Sequence, residues 1–128
     1  MNRQHKIWGE RWLLHQDSTH NVSYLKIKAG YRCSWHTHQA KANLFVVIRG
    51  KFGIHTEHGE TVLTEGHCFT VPPGLEHEFK AYEDSEVIEE MFVSYDEADI
   101  VRSNIGGVFE EPKARPNIST HINKSGAQ

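Results

Sequence analysis

The sequence lacks the features that mark membrane, nucleic-acid-binding and disulfide-stapled proteins. No apolar stretch approaches the roughly 20 residues that a membrane span requires. The first residues, Met1 to Leu14, interleave Arg3, His5, Lys6, Glu10 and Arg11 with apolar neighbours. Neither a membrane span nor an export signal is expected, and the chain reads as soluble and cytoplasmic. The 14 basic and 17 acidic side chains give a formal charge of -3 with no long run of one sign, which argues against a DNA or RNA partner. Only two cysteines are present, Cys33 and Cys68, too far apart for a close-spaced metal pair, and both read as small packing thiols. With 128 residues there is room for about one core.

Helical periodicity is scarce as well. Apolar residues recur at short spacing in Val-, Ile-, Phe- and Tyr-rich segments punctuated by glycine, the pattern of antiparallel β structure. Strands are expected over Asn21–Ala29, Arg32–His38, Asn43–Arg49, Lys51–Thr56, Glu60–Thr64, His67–Val71, His77–Tyr82 and Ser85–Tyr95. A hairpin is expected at Gly50, with further turns at His58-Gly59, Glu65-Gly66 and Pro72-Pro73-Gly74. Such spacing predicts a sandwich or barrel. Ser94-Tyr95-Asp96-Glu97 has capping-box spacing and predicts one short helix over Asp96–Arg102. The barrel is expected over residues 1–107, followed by a polar tail, 108–128, that is loose or wrapped on a partner subunit.

Ten histidines exceed an average share, yet most have bland surface explanations; His67 reads as a rim or surface residue. His36 and His38 differ, because residues two apart on a strand present both imidazoles to one face. The Pro72-Pro73-Gly74 turn can deliver His77 to them from the next part of the sheet. Three converging neutral imidazoles suit one divalent transition metal ion such as Zn, Fe, Mn, Ni or Cu. Arg32 and Ser34 would share the face of His36 and His38, and Phe79 and Ala81 that of His77. The cavity so formed is mixed polar and apolar and fits a small polar molecule. Tyr24, Lys26 and Lys28 share another face; turned inward its lysines would meet an anionic substrate, turned outward they are solvated.

The frames around these histidines carry a resemblance. Gly30, His36, His38 and Gly50, then Gly66, Pro72, Gly74 and His77, resemble the paired motifs of the cupin superfamily, G-x5-H-x-H-x3-4-E-x6-G and G-x5-P-x-G-x2-H-x3-N. The resemblance implies a small double-stranded β-helix, jelly-roll-like, with His36, His38 and His77 as metal ligands. Asn43 stands where the family has a glutamate ligand, and Ala81 where it has an asparagine. Asn43 is then a weak or outer ligand through its carbonyl oxygen, or the centre is carried by three histidines alone. An empty barrel with Asn43 hydrogen-bonding inside it is the metal-free alternative.

The flanks are similar to the cupin domain of type II mannose-6-phosphate isomerase: Ile7-Trp8-Gly9, Trp12-Leu13-Leu14 and Phe45-Val46-Val47-Ile48-Arg49-Gly50 at the start, and Val87-Ile88-Glu89-Glu90 with Asp99-Ile100-Val101-Arg102 at the end. That resemblance implies a metal-dependent sugar-phosphate isomerase. Isomerisation needs a base between neighbouring carbons. Glu89 is the first candidate, with Lys41 or His67 behind it and an exposed strand carboxylate as the plain alternative; Lys41 or Lys26 would hold the phosphate. A three-histidine iron dioxygenase and a non-enzymatic sugar or metabolite sensor are the competing readings. A homodimer is expected because Leu44, Val46 and Ile48 alternate with Phe45 and Val47, which leaves both faces of one strand apolar.

Overall fold

A computed structural model describes residues 2–93 and 106–108. The chain divides into two units, Met1–Ser94 and Tyr95–Gln128, and the first holds the nine strands found among the described residues. They are β1 (Asn2–Lys6), β2 (Gly9–Gln16), β3 (His20–Ile27), β4 (Ala42–Arg49), β5 (Lys51–Thr56), β6 (Gly59–Thr64), β7 (Cys68–Val71), β8 (His77–Ala81) and β9 (Ser85–Phe92). A six-stranded sheet runs in the order β1-β2-β3-β9-β4-β7, and a three-stranded sheet in the order β6-β5-β8. The fold is all-β, as the glycine-punctuated pattern predicts. The expected helix over Asp96–Arg102 and the polar tail beyond Val108 lie outside the described residues.

Strict alternation builds the core. Leu25 and Ile27 on β3, Phe45 and Val47 on β4, Phe52 and Ile54 on β5, Phe79 and Ala81 on β8 and Val87 on β9 all turn inward and are buried. Cross-strand partners share a face, so the register arranges the inner side of the larger sheet in rows. Arg11, Leu25, Val87 and Val47 form one row, and Ser23, Glu89, Phe45 and Phe69 the next. Asn21, Met91, Asn43 and Val71 form a third. Polar residues therefore gather towards one end of an otherwise apolar interior. Phe45, with no exposed surface, has its ring centroid 5.8 Å from that of Phe52 and 6.3 Å from that of His77, and so joins core to polar end.

Two sequence expectations need correction, and one open alternative is decided. Gly50 does not close a hairpin: β4 pairs with β7 and β9, whereas β5 pairs with β6 and β8, so Gly50 is the corner at which the chain changes sheets. Arg32–His38 is not a regular strand; it touches β8 through isolated bridges at Arg32 and His36, with irregular backbone between them. Arg32 is consequently exposed, while Cys33 packs on the core. Lys26 and Lys28 are exposed, because the inward positions of β3 belong to Leu25 and Ile27. The pattern also missed β1 and β2. Neither strand contributes a residue to the buried core, so neither shows the apolar alternation that marks β3 to β5.

The Gly50 corner is sterically fixed. Its φ is +101°, and a Cβ there would lie 2.4 Å from Ser85 Oγ and 2.5 Å from the Asp84 carbonyl. Gly59 also has a positive φ, +112°, but faces open space. Gly50→Ala is expected to cost about 2 kcal/mol or more in urea denaturation, and Gly59→Ala about 1 kcal/mol. Equal penalties would contradict the packed corner.

Candidate metal centre

The geometry of the three histidines follows from one pair of backbone bonds. His36 and His77 sit opposite each other in an antiparallel bridge, each N–H donating to the other's carbonyl at 3.0 Å. Opposed residues point their side chains to the same side, and the ring centroids lie 4.4 Å apart. His38, two residues on, brings its ring to 5.1 Å from His36 and 5.9 Å from His77. The potential ligand atoms of the three all lie within 4.8 Å of one another.

The surroundings also set which nitrogen is available. His36 Nδ1 lies 2.7 Å from the Ser34 carbonyl and His77 Nδ1 lies 3.0 Å from that of Leu75. A carbonyl oxygen only accepts, so each Nδ1 carries the proton and each Nε2 keeps a free lone pair. His77 Nε2 is buried without a hydrogen-bond partner. An orphaned imidazole lone pair, aimed by the Leu75 carbonyl and flanked by two further imidazoles, suits a transition metal ion. Burial lowers the pKa of His38, aided by the nearby charges of His36 and Lys41. Burial also lowers that of His77, against the opposing effect of its bond to Leu75. Both shifts favour the neutral, ligating form.

Asn43 is buried beneath the centre's neighbourhood on β4; its Nδ2 donates to Glu89 Oε2 at 2.8 Å, and its Oδ1 has no partner. Glu89 is not an exposed strand carboxylate: it turns inward on β9 and burial raises its pKa, with the Asn43 bond and the charges of Arg11 and His36 pulling the other way. Glu89 lines a cavity of about 430 Å3 together with His36, His38, Ser34 and Phe79. Lys41 is exposed and belongs instead to a shallow depression beside Asp17 and His20. Lys26 lines a different cleft with Arg49 and Glu86. His67 accepts the Thr64 N–H at a turn, away from the cavity. Cys33 borders the cavity, and burial pushes its thiol up to about 11; its sulfur accepts the Phe79 N–H at 3.1 Å.

Sequence reasoning overlooked the far wall of this cavity. Lys6, Ile7, Trp8 and Arg11, all from the β1–β2 hairpin, contribute to it. The only sequence signal for them was an arginine alternating with apolar positions behind Trp8-Gly9.

Fold and histidine cluster together define a β-barrel-like protein with three histidines that could hold a metal ion. Residues 23–92 match the cupin domain family, and the chain belongs to it. KdgF from Halomonas sp. superposes with a TM-score of 0.67 at 22% identity, over 74% of this chain and 90% of that one. The Cnp3 cupin domain of Schizosaccharomyces pombe gives 0.65 at 14% identity, over 73% and 69%. An RmlC-like cupin from Shewanella frigidimarina gives 0.61 at 22% identity, over 72% and 80%. These likenesses are of fold. No curated protein matches the chain.

Purified wild-type protein is expected to take up about one divalent transition metal ion per chain. His77→Ala should weaken uptake by about 100-fold or more, because it removes the orphaned ligand. His58→Ala, at an exposed turn position, should leave uptake unchanged. Metal analysis after chelation and reloading measures both, and equal metal in His77→Ala and wild type would refute the assignment.

Proposed function

We propose that this cupin is a metal-dependent isomerase of a small polar, sugar-like substrate, with His36, His38 and His77 as metal ligands, Asn43 as a weak or outer ligand and Glu89 as the base. The observation that carries the reading is Glu89: an inward carboxylate of raised pKa lining the same cavity as His36 and His38. A divalent ion held there supplies a Lewis acid for neighbouring carbonyl and hydroxyl oxygens, its charge not offset by any carboxylate in the ligand set. Glu89 then takes a proton from one carbon and returns it to the next. Desolvation raises its pKa above the ordinary carboxylate value, which makes it a stronger base. The Asn43 amide steadies the carboxylate through the 2.8 Å bond.

A phosphate on the substrate finds less support. Lys26 and Lys41, the expected phosphate ligands, both line depressions other than the histidine cavity. The all-imidazole ligand set also suits iron, which keeps the dioxygenase as the second reading.

The test is proton exchange and interconversion of aldoses and ketoses, mannose 6-phosphate included, followed by NMR in deuterated water with each candidate metal restored. Glu89→Gln should lower turnover by at least about 100-fold while keeping its metal. Absence of exchange with every metal would refute the isomerase. Substrate-dependent oxygen uptake with iron would support the dioxygenase instead, and ligand-induced thermal stabilisation without turnover would support a sensor.

The reading includes a homodimer formed on the outer face of the larger sheet. Trp12, Tyr24, Ile88 and Val46 form a cross-strand row there, none of them fully buried, and Ile48 nearby is 44% exposed. An apolar row of this kind favours association. Light scattering should give about twice the 14.7 kDa chain mass, and Val46→Glu should halve it. A monodisperse wild-type monomer at micromolar concentration would refute the dimer.

A further inference from the structure

The histidine cavity carries a cation that neither ligates a metal nor itself moves a proton. Arg11 projects inward from β2, in register with Leu25, and its guanidinium is held on three sides. Nε donates to Ser23 Oγ at 2.9 Å, Nη1 to Gln4 Oε1 at 3.1 Å and Nη2 to Asn21 Oδ1 at 2.9 Å. All three acceptors are neutral. Among the described residues Arg11 forms no ion pair, although Arg3, Arg49 and Lys80 all do. Glu89 lines the same cavity, but its carboxylate is engaged by the Asn43 amide. The charge of Arg11 is felt at Glu89, but among the described residues no carboxylate lies within ion-pair distance of the guanidinium, and a half-buried, immobilised cation of this kind favours a directly bound anion. Lys6 adds a second cation to the same wall.

We infer that Arg11, assisted by Lys6, binds the carboxylate of a small acidic substrate in the histidine cavity. The inference deepens the proposed function and rests on the cavity being its substrate site. A guanidinium has five N–H donors, and three are spent on Ser23, Gln4 and Asn21. One remains on each terminal nitrogen, a number that matches the two oxygens of a carboxylate. The Ser23 hydroxyl cannot extend this set, since its hydrogen goes to Asn21 Oδ1 at 3.2 Å. The cavity of about 430 Å3 lies within the range of small-molecule sites. Its acidic ligand would span from Arg11 to the imidazoles, past Glu89, with the anion fixing orientation at the end away from the metal ligands.

Calorimetric titration of the metal-loaded full chain tests this, using D-glucuronate, D-gluconate and 2-oxoglutarate, with D-glucose and D-glucitol as neutral probes and D-glucose 6-phosphate as the phosphate probe. At least one carboxylate is expected to bind about tenfold tighter than the neutral probes or more. Arg11→Gln should bring that ratio to within about twofold, and Lys6→Gln should weaken carboxylate binding about two- to fivefold, both at unchanged metal content. Arg11 also ties β1, β2 and β3 together; if Arg11→Gln does not fold, Arg11→Lys, which keeps charge without the fork, should still lose most of the preference. Equal binding of acidic and neutral probes, tighter binding of the phosphate, or a preference that survives loss of Arg11 would each overturn the inference. Normal metal uptake with no carboxylate preference would overturn it while leaving the metal centre intact. Arg11-dependent carboxylate binding in a chain that takes up no metal would support it and remove the metal reading.

Discussion

The seam between the 30–38 segment and the free edge of β8 is the constraint on which the site depends. Gly30 N–H donates to the Ala81 carbonyl at 2.8 Å, Cys33 N–H to that of Phe79 at 3.1 Å, and His36 and His77 exchange both their bonds at 3.0 Å. Gly74 N–H, donating to the His38 carbonyl at 2.8 Å, closes the seam. A long connection between strands of the larger sheet would otherwise be mobile and would leave the polar edge of β8 unpaired. Laid along that edge, it satisfies the backbone and delivers two imidazoles opposite a third. The irregular stretch between the bridges matters too: it places the Ser34 carbonyl 2.7 Å from His36 Nδ1, which fixes the tautomer. A regular strand would direct that carbonyl to a neighbouring chain.

Asn43 and Glu89 are best understood as a pair. A glutamate at position 43 would lie against Glu89, and two carboxylates within hydrogen-bond distance cannot both ionise; they would share a proton. An amide there reverses the interaction, donating to Glu89 at 2.8 Å and leaving its own oxygen unspent. The departure from the family's glutamate is thus coupled to a carboxylate on the adjoining strand. The negative charge sits on β9 at the cavity wall, where it is available to a substrate.

How much of this could be read from sequence depended on where the pattern had a buried face to report. Strands β3 to β9 each have inward positions filled by apolar or site residues, so alternation located them to within a few residues. Strands β1 and β2 supply the cavity wall and the sheet edge, and their mixed polar faces carry no such signal. The three histidines were legible from their spacing and the Pro-Pro-Gly turn, although the regular strand assumed for His36 and His38 is replaced by a bridge at His36 and irregular backbone around it. Gly50 misled because a glycine turn between two apolar segments looks alike whether the chain folds back on its neighbour or crosses to the other sheet. Only the pairing of β9 with β4 separates the two cases, and that contact spans some 40 residues of sequence. The face of Lys26 stayed open for a related reason, since alternation identifies the two faces of β3 but not which of them is inside until its neighbours are known.

The two layers of the molecule consequently contribute different chemistry. The β8 seam offers three imidazoles, two of them with Nδ1 held by backbone carbonyls, and this arrangement depends on main-chain geometry more than on surrounding side chains. The β1–β2 hairpin and β3 offer charge and amide groups, held in position by Arg11's bonds to Ser23, Gln4 and Asn21. Substitutions in the hairpin can alter the charge facing a ligand without disturbing the backbone bridge that aligns the imidazoles. Substitutions along the seam have the opposite effect. A barrel organised in this way can keep one metal-binding geometry while its substrate preference is determined by an outer hairpin that the apolar core does not constrain.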